Sequence, residues 1–439
     1  MKKSKKKNND QYDLRASLVS FSIFAFTIII VFNLFNIQIL DINSLSKVAE
    51  KQAIYKRIIQ PERGLIYDRN NNILGTNLIN WNIGARYVDF NNPQKVFNSL
   101  SKVFGNSPNY YKSIFENKKK YYKIKSNISI EQVDKLKRYG LQGINYERKI
   151  VRHYPFQELA GQVLGFTNWD NIGKSGIEKK FDRYLAGKPG LQIIKKDVNN
   201  KIVSLSNANN REKKDGGDVF LTLDIDYQTI LESELKKAYN KNKPQNAMGV
   251  IANPNTGEIL AIASYPNFNP NKIKNSIPEE RRNRVISDQF EPGSIFKVIP
   301  ISASLESNVL TPTSKINCEN GKWNIYDYSL HDTHENEWLS LKEIITLSSN
   351  IGSAKIAKLV GDETVYKTIK KFGFGDPCNI SLNAETAGYI KPVSQWSEIT
   401  YSQVAMGHNV TTSLLQMVMA YCAVANGGLL LQPYIVKSA

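Results

Sequence analysis

The run Glu291-Pro292-Gly293-Ser294-Ile295-Phe296-Lys297 holds the residue types of a serine nucleophile and its base. Pro292 and Gly293 end the preceding segment, so Ser294 is expected to open a helix, on which residues i and i+3 share a face. Lys297 would then reach the Ser294 hydroxyl. An unassisted hydroxyl is a poor nucleophile, but a lysine whose pKa is lowered by burial and by other cations can take its proton. The helix start adds backbone N–H groups that favour developing negative charge. Downstream, Leu347-Ser348-Ser349-Asn350-Ile351-Gly352 sets a hydroxyl and an amide two positions apart on an expected loop between helical stretches. Ser348 would relay protons there, and Asn350 would hold a substrate carbonyl. Neither pattern is specific alone. S-x-x-K also occurs at Ser4, Ser44 and Ser99, and S-x-N at Ser107 and Ser381, all of which read as chance. The order of the two motifs and the blocks around them carry the weight.

Those residues need a scaffold, and the sequence outlines one. Met248–Ala252 and Glu258–Ala263 bracket the turn Asn253-Pro254-Asn255-Thr256-Gly257, the pattern of a β-hairpin. Val219–Leu223 reads as a strand, followed by a helix beginning near Asp226. Beyond about residue 294 the apolar spacing is helical, with turns between. Upstream, Ile193-Ile194 and Lys201-Ile202-Val203 read as strand pieces around a turn at Asp197–Asn200. Residues 206–217 carry no apolar side chain larger than alanine and are the expected linker. At 439 residues the chain is too long for one ordinary domain. The resulting division is a tail (1–15), a membrane helix (16–40), a mixed α/β domain (41–205), the linker (206–217) and the nucleophile-bearing domain (218–439).

The membrane helix follows from charge and length. Lys2, Lys3, Lys5, Lys6, Lys7 and Arg15 precede a stretch, Ala16–Leu40, that contains no charged residue. A spanning helix needs about 20 mostly apolar residues, because hydrocarbon satisfies no backbone hydrogen bonds. Ser17, Ser20, Ser22 and Thr27 are tolerable within it, since their hydroxyls can bond back to the preceding turn. A cleaved signal peptide would have a shorter apolar core and a small-residue cleavage site. The run ends Asn36-Ile37-Gln38-Ile39-Leu40-Asp41 without one, so an uncleaved anchor is expected. The lysines keep the N-terminus in the cytoplasm and send the rest across.

The formal net charge of +18 is large, but lysine is spread along the whole chain rather than gathered in a patch. No basic stretch interleaved with aromatics marks a nucleic-acid site. Three cysteines, Cys318, Cys378 and Cys422, are too few and scattered for a disulfide framework and read as buried thiols. His331 and His334 are spaced for a shared metal, yet no third ligand accompanies them, and the run His331-Asp332-Thr333-His334-Glu335 reads as a surface loop.

With these blocks assembled, the chain resembles the class B penicillin-binding proteins, whose wider motif set is S-x-x-K, S-D-N and K-T-G. Arg63-Gly64-Leu65-Ile66-Tyr67-Asp68-Arg69-Asn70 is similar to the family's block just outside the membrane. Arg152-His153-Tyr154-Pro155 and Gly176-Ile177-Glu178 resemble blocks of its non-catalytic pedestal, or dimerisation, domain. Asn253–Ala261 resembles the hairpin before the nucleophile, and Ala423-Val424-Ala425-Asn426-Gly427-Gly428 a late helix end. Glu291 and the form Ser-Ser-Asn-Ile-Gly are more like the division-type enzymes than the elongation-type ones.

The resemblance implies an α+β protein: one transmembrane helix, a mixed pedestal, and a serine transpeptidase domain with an antiparallel sheet flanked by helices. It implies a D,D-transpeptidase that cross-links peptidoglycan stem peptides through an acyl-enzyme on Ser294, with Lys297 as base, Ser348 as proton shuttle and Asn350 positioning the substrate. It implies no metal or organic cofactor, inhibition by β-lactams, and a lipid-II glycosyltransferase and division proteins as partners. There are two departures. No Lys-Thr-Gly or Lys-Ser-Gly follows Asn350, where the family places an edge strand that binds the substrate carboxylate. Lys437-Ser438-Ala439 comes too early and has Ala for Gly, so the catalytic domain is expected to be incomplete at its C-terminus. Ser413-Leu414-Leu415-Gln416 stands where relatives carry Thr-Pro. The alternatives are a non-catalytic scaffold, for which the missing third motif argues, and an elongation-type enzyme. A β-lactam sensor is disfavoured, because the short N-terminal tail leaves no signalling portion.

Overall fold

A computed structural model of the chain describes residues 3–40, 54–116, 121–196 and 202–439. It divides into two units, residues 1–61 with 188–214, and residues 62–187 with 215–439.

In the first unit a helix spans Lys3–Phe35 and widens into a π-helical turn over Asn36–Leu40. Its stretch Arg15–Ile39 is long and apolar enough to cross a membrane. Ser22 and Thr27 donate to the carbonyls of Leu18 and Ile23, both at 2.8 Å, so their hydroxyls are satisfied inside the helix. Strands Ile54–Ile59, Gly190–Lys196 and Ile202–Arg211 form an antiparallel sheet in that order, with Gly190–Lys196 central. The expected turn at Asp197–Asn200 lies outside the described residues. The stretch read as a linker differs: residues 206–211 are strand, with Ser206 opposite Ile193 and Arg211 opposite Leu191. The backbone ladder holds this edge strand, and Asn210 Oδ1 accepts from the Ile193 N–H. Apolar content does not register such support, which is why the composition suggested a linker.

In the second unit the long strand Ile73–Ala85 pairs with Tyr122–Ile128 on one side and Ile144–His153 on the other, both antiparallel. Helices Pro93–Phe104 and Ile130–Arg138 cover it and bury Phe97, Leu100, Val133 and Leu136 against Ile83. Ile66–Tyr67 continues this sheet to Val219–Leu221 (parallel), which pairs in turn with Val436–Ser438. Three sequence blocks far apart in the chain meet beneath it. Glu178 receives Arg63 at 2.6 Å through one carboxylate oxygen and Arg152 at 2.6 Å through the other, and all three side chains are buried. Arg152 Nη1 donates to the Gly64 carbonyl at 2.8 Å, and a Cβ on Gly64 would lie 1.8 Å from the Gly217 carbonyl oxygen, so only glycine fits the crossing.

The remainder is built on the expected hairpin, Ala247–Ala252 with Ile259–Tyr265, backed by helix Ile225–Asn242. Asp224, two residues before the expected start, caps that helix by accepting from the Asp226 N–H. Among the described residues the hairpin is a two-stranded sheet. The C-terminal half is mostly helical, as the spacing predicts, but residues 315–340 are not. Lys315–Asn317 pairs with Trp338–Ser340, and Lys322–Ile325 with Tyr328–His331. Strands of three or four residues are too short to show a period-2 pattern. His331 therefore ends a strand instead of sitting in a loop. Cys318 and Cys422 are buried, Cys378 partly so, and all three are free thiols.

Candidate active site

Ser294 lies in a 3-10 turn, Gly293–Lys297, that runs into helix Val298–Glu306. The sequence suggested an α-helical start. The tighter turn eclipses i and i+3 more closely, and Lys297 Nζ lies 3.1 Å from Ser294 Oγ. Phe296 anchors the turn, buried against Ile299 and Val404 with its ring 5.0 Å from that of Phe374. With Phe296 pointing into the core, Ser294 is left exposed while Lys297 is only 2% exposed. A second support comes from below: the Gly293 N–H donates to the Gly407 carbonyl at 3.1 Å. Gly407 has a φ of +79°, and a Cβ there would meet the Gly293 carbonyl oxygen at 2.2 Å. No other residue fits that position.

Helix Asn350–Val360 brings the second motif to the same point. Lys297 Nζ is 2.6 Å from the Ser348 carbonyl oxygen, 3.0 Å from Ser348 Oγ and 2.7 Å from Asn350 Oδ1. Ser348 achieves this with a φ of 55°, a left-handed conformation that costs a side-chain-bearing residue energy and tends to mark functional sites. All four residues picked out by sequence, Ser294, Lys297, Ser348 and Asn350, thus converge on one amine. Ser99 takes no part in this cluster, and Ser44 lies outside the described residues.

The amine is tuned for proton transfer. Burial lowers the Lys297 pKa from its ordinary 10.5 to about 8, and the Asp332 carboxylate pulls in the opposite direction. As a neutral amine Lys297 has two N–H donors and one lone pair. The Ser348 carbonyl and Asn350 Oδ1 are pure acceptors and take the two donors. The lone pair then faces the two hydroxyls, Ser294 and Ser348. That arrangement can draw a proton from Ser294 Oγ and pass it through Ser348.

Asp332 was not singled out by the sequence. Its Oδ1 accepts from the backbone N–H of Asn350 at 2.6 Å and of Ile351 at 2.9 Å, and its Oδ2 from the Ser349 hydroxyl. It fastens the start of the helix that carries Asn350, where a carboxylate suits the helix dipole. The flanking histidines drew attention to a metal, and nothing in the spacing tied this carboxylate to a helix beginning at residue 350. Asn350 Nδ2 also donates to the His331 carbonyl at 2.9 Å, which fixes the amide plane. His408 was likewise missed. Its Nδ1 lies 3.0 Å from Glu291 Oε2, and Glu291 Oε1 accepts from the Asn409 N–H. These bonds, the one to His408 foremost, lower the Glu291 pKa.

Lys437-Ser438-Ala439 is not part of this cluster. It stands on the strand Val436–Ser438, hydrogen-bonded to Val219–Leu221. The Lys174-Ser175-Gly176 triplet is upstream of the nucleophile and opens the short helix Gly176–Lys180. Among the described residues no group of three or more His, Cys, Asp or Glu side chains is placed to hold a metal ion.

Comparison with known proteins assigns family models to two stretches of the chain. A family model described as penicillin-binding protein dimerisation domain matches residues 58–221, and one described as penicillin binding protein transpeptidase domain matches residues 247–439. The chain is 26% identical over 409 residues to the peptidoglycan D,D-transpeptidase FtsI of Escherichia coli, covering 90% of this chain and 67% of the relative. It is 32% identical over 392 residues to stage V sporulation protein D of Bacillus subtilis, covering 86% and 59% respectively. The crystal structure of penicillin binding protein 2X from Streptococcus thermophilus superposes with a TM-score of 0.72 at 24% identity, over 87% of this chain and 61% of that one.

Proposed function

Because the chain belongs to the penicillin-binding proteins, with a dimerisation domain ahead of a transpeptidase domain, we propose that it is a membrane-anchored peptidoglycan D,D-transpeptidase working through an acyl-enzyme on Ser294. The observation that carries this reading is the Lys297 amine, buried and set 3.1 Å from Ser294 Oγ. Neutral Lys297 takes the Ser294 proton as Oγ attacks the carbonyl carbon of a D-Ala-D-Ala bond. The proton passes by way of Ser348 to the departing amine, and the terminal D-alanine leaves. An amine from a neighbouring stem peptide then attacks the ester and leaves a cross-link. Asn350 keeps one Nδ2 proton free after bonding His331, and that proton is available to the substrate amide. β-Lactams mimic the scissile bond and trap the same serine.

The uncharged stretch Ala16–Leu40 supports a single-pass anchor, with the lysine-rich start in the cytoplasm and the rest outside. Glu291 and Ser348-Ser349-Asn350-Ile351-Gly352 support a role in division, alongside a lipid-II glycosyltransferase and division proteins. We assign the catalytic roles to Ser294, Lys297, Ser348 and Asn350.

Labelled penicillin tests the chemistry. Intact-mass measurement of the chain should show one adduct, located on Ser294, and Ser294→Ala should show none. An undiminished adduct on the Ser294→Ala variant, or no adduct on the wild type after prolonged incubation, would overturn the mechanism. Reporter enzymes fused after residue 439 test the topology: activity confined to a cytoplasmic reporter would reverse it.

A further inference from the structure

The turn that carries Ser294 is a weak piece of helix. Gly293–Lys297 is 3-10, a form whose hydrogen bonds are poorer than those of an α-helix. Pro300 stands four positions after Phe296 and has no N–H to offer the Phe296 carbonyl. The start of helix Val298–Glu306 therefore cannot reinforce the turn in the usual way. Yet its winding decides whether the catalytic pair stays in register. At about three residues per turn Ser294 and Lys297 lie in line, whereas at about 3.6 they would be offset by about 60°. The 3.1 Å between Lys297 Nζ and Ser294 Oγ depends on the tighter form.

One side chain from elsewhere grips this turn. Tyr421 Oη donates to the Ile295 carbonyl at 2.8 Å, and Ile295 stands between the two catalytic residues. Among the described residues, no other side chain is hydrogen-bonded to the backbone of Gly293–Lys297. Tyr421 belongs to helix Leu414–Ala425, which opens with a capping box between Ser413 and Gln416. That helix buries Met417 and Ala420 in the same core cluster as Phe296 and Ile299. The hydroxyl is thus mounted on a fixed element. A donor on the outer side of a helical carbonyl tilts it away from the axis and lengthens its bond to the next turn. Relaxation of the 3-10 turn to the α form is thereby opposed.

We propose that Tyr421 is a positioning residue for acylation, a role that rests on the acyl-enzyme reading of Ser294: its hydroxyl holds the Ile295 carbonyl so that Ser294 and Lys297 stay aligned. Tyr421 and Ile295 are both partly exposed, so water can satisfy the carbonyl when the hydroxyl is removed. Water is not anchored to a helix. What is lost with the hydroxyl is direction, not stability.

Tyr421→Phe deletes the hydroxyl and keeps the ring. Stopped-flow acylation over a series of labelled-penicillin concentrations separates the dissociation constant of the initial complex from the acylation rate constant. The rate constant should fall about 3- to 10-fold, the worth of one ordinary hydrogen bond, while the dissociation constant and the unfolding midpoint stay as in the wild type. Tyr421→4-aminophenylalanine, which restores an N–H donor at the same place, should recover most of the rate. Tyr227→Phe, at a partly exposed tyrosine on helix Ile225–Asn242, should behave as the wild type does. Hydrogen exchange of the 293–300 segment needs no acylation, and it should quicken in Tyr421→Phe while other segments keep their rates. An unchanged rate constant in Tyr421→Phe overturns the proposal, and so does unchanged exchange in that segment. A fall in rate that comes with a lower unfolding midpoint, or that the amino variant does not recover, means packing and overturns it too. A wild-type chain that takes no adduct defeats the acyl-enzyme reading instead, and the exchange rates then decide whether Tyr421 holds the turn.

Discussion

Lys297 Nζ lies 2.7 Å from Asn350 Oδ1, so the amide that would hold the substrate also fixes the direction of the base. The two residues come from different helical segments, 53 positions apart, and neither geometry is independent of the other. This coupling separates the effects of substitution. Asn350→Ala removes an acceptor from Lys297 as well as a substrate contact, and acylation by penicillin should fall about 10- to 100-fold, by analogy with losing a hydrogen bond to a charged group. Asn350→Asp should instead raise the Lys297 pKa, by placing a carboxylate against the amine. Stopped-flow acylation rates against pH for both variants would distinguish the two effects.

The wild-type pH profile follows from the same amine. Burial holds Lys297 at about 8, and the base is the neutral form. The acylation rate should therefore be low under acidic conditions, rise through about pH 8 and level off above it. The linkage to stability has a definite sign. Between pH 8 and the ordinary 10.5, the unfolded chain keeps a proton that the folded chain has released. Lys297 thus lowers stability most below pH 8, and this cost fades as the pH rises towards 10.5. A rate that stays flat from pH 6 to 10 would rule out Lys297 as the base.

Asp332 acts through its neighbours, and its substitution has two readouts. Asp332→Asn weakens the bonds that fasten Ser349, Asn350 and Ile351, so the acylation rate should drop about tenfold or more. The same change removes the charge that pulls the Lys297 pKa up, so the pH midpoint should move downwards from about 8. A merely structural role would lower the rate and the unfolding midpoint but leave the pH midpoint in place.

How much of this was legible in the sequence depends on the range of each interaction. The Ser294–Lys297 pair is local, and its spacing alone implies contact. The hairpin at 247–265 was legible for a similar reason, since a turn-rich block joins two apolar runs. Ser348 and Asn350 could be joined to that pair only through family resemblance, because no local rule spans 50 residues. Asp332 and His408 were not legible, as each acts through a backbone N–H or a single side chain brought near by the fold. The strand at 202–211 was legible at its start, Ile202-Val203, but its continuation over 206–211 was not, because hydrogen bonds to Gly190–Lys196 hold it and a polar composition says nothing about those.

Gly407 is a test of how rigidly the nucleophile must be held. Gly407→Ala would put a Cβ 2.2 Å from the Gly293 carbonyl oxygen at a φ of +79°, so the 291–294 segment must shift. Misplacement by about 1 Å can cost about 100-fold in rate. Acylation at Ser294 should fall by that order. Unchanged acylation would show that the contact is not what sets the position of Ser294.

Glu178 should matter for folding and not for the reaction itself. It is fully buried between two buried arginines, Arg63 and Arg152, and Tyr154 lies 3.3 Å from one of its oxygens. Glu178→Gln keeps the shape but leaves the Arg152 guanidinium without a counter-charge, while Arg63 keeps Asp182 at 2.8 Å. Removing one partner from a buried ion pair costs about 3–5 kcal/mol, because the charge left behind is uncompensated. The unfolding midpoint of Glu178→Gln should therefore drop by several degrees, measured by calorimetry or by circular dichroism. Arg152→Met with Glu178→Met, which removes the pair together and leaves Arg63 on Asp182, should be less harmful than Glu178→Gln alone if uncompensated charge is the cause. Equal damage from both would point to packing instead. In either variant, the fraction that remains folded should still be acylated at Ser294 at the wild-type rate.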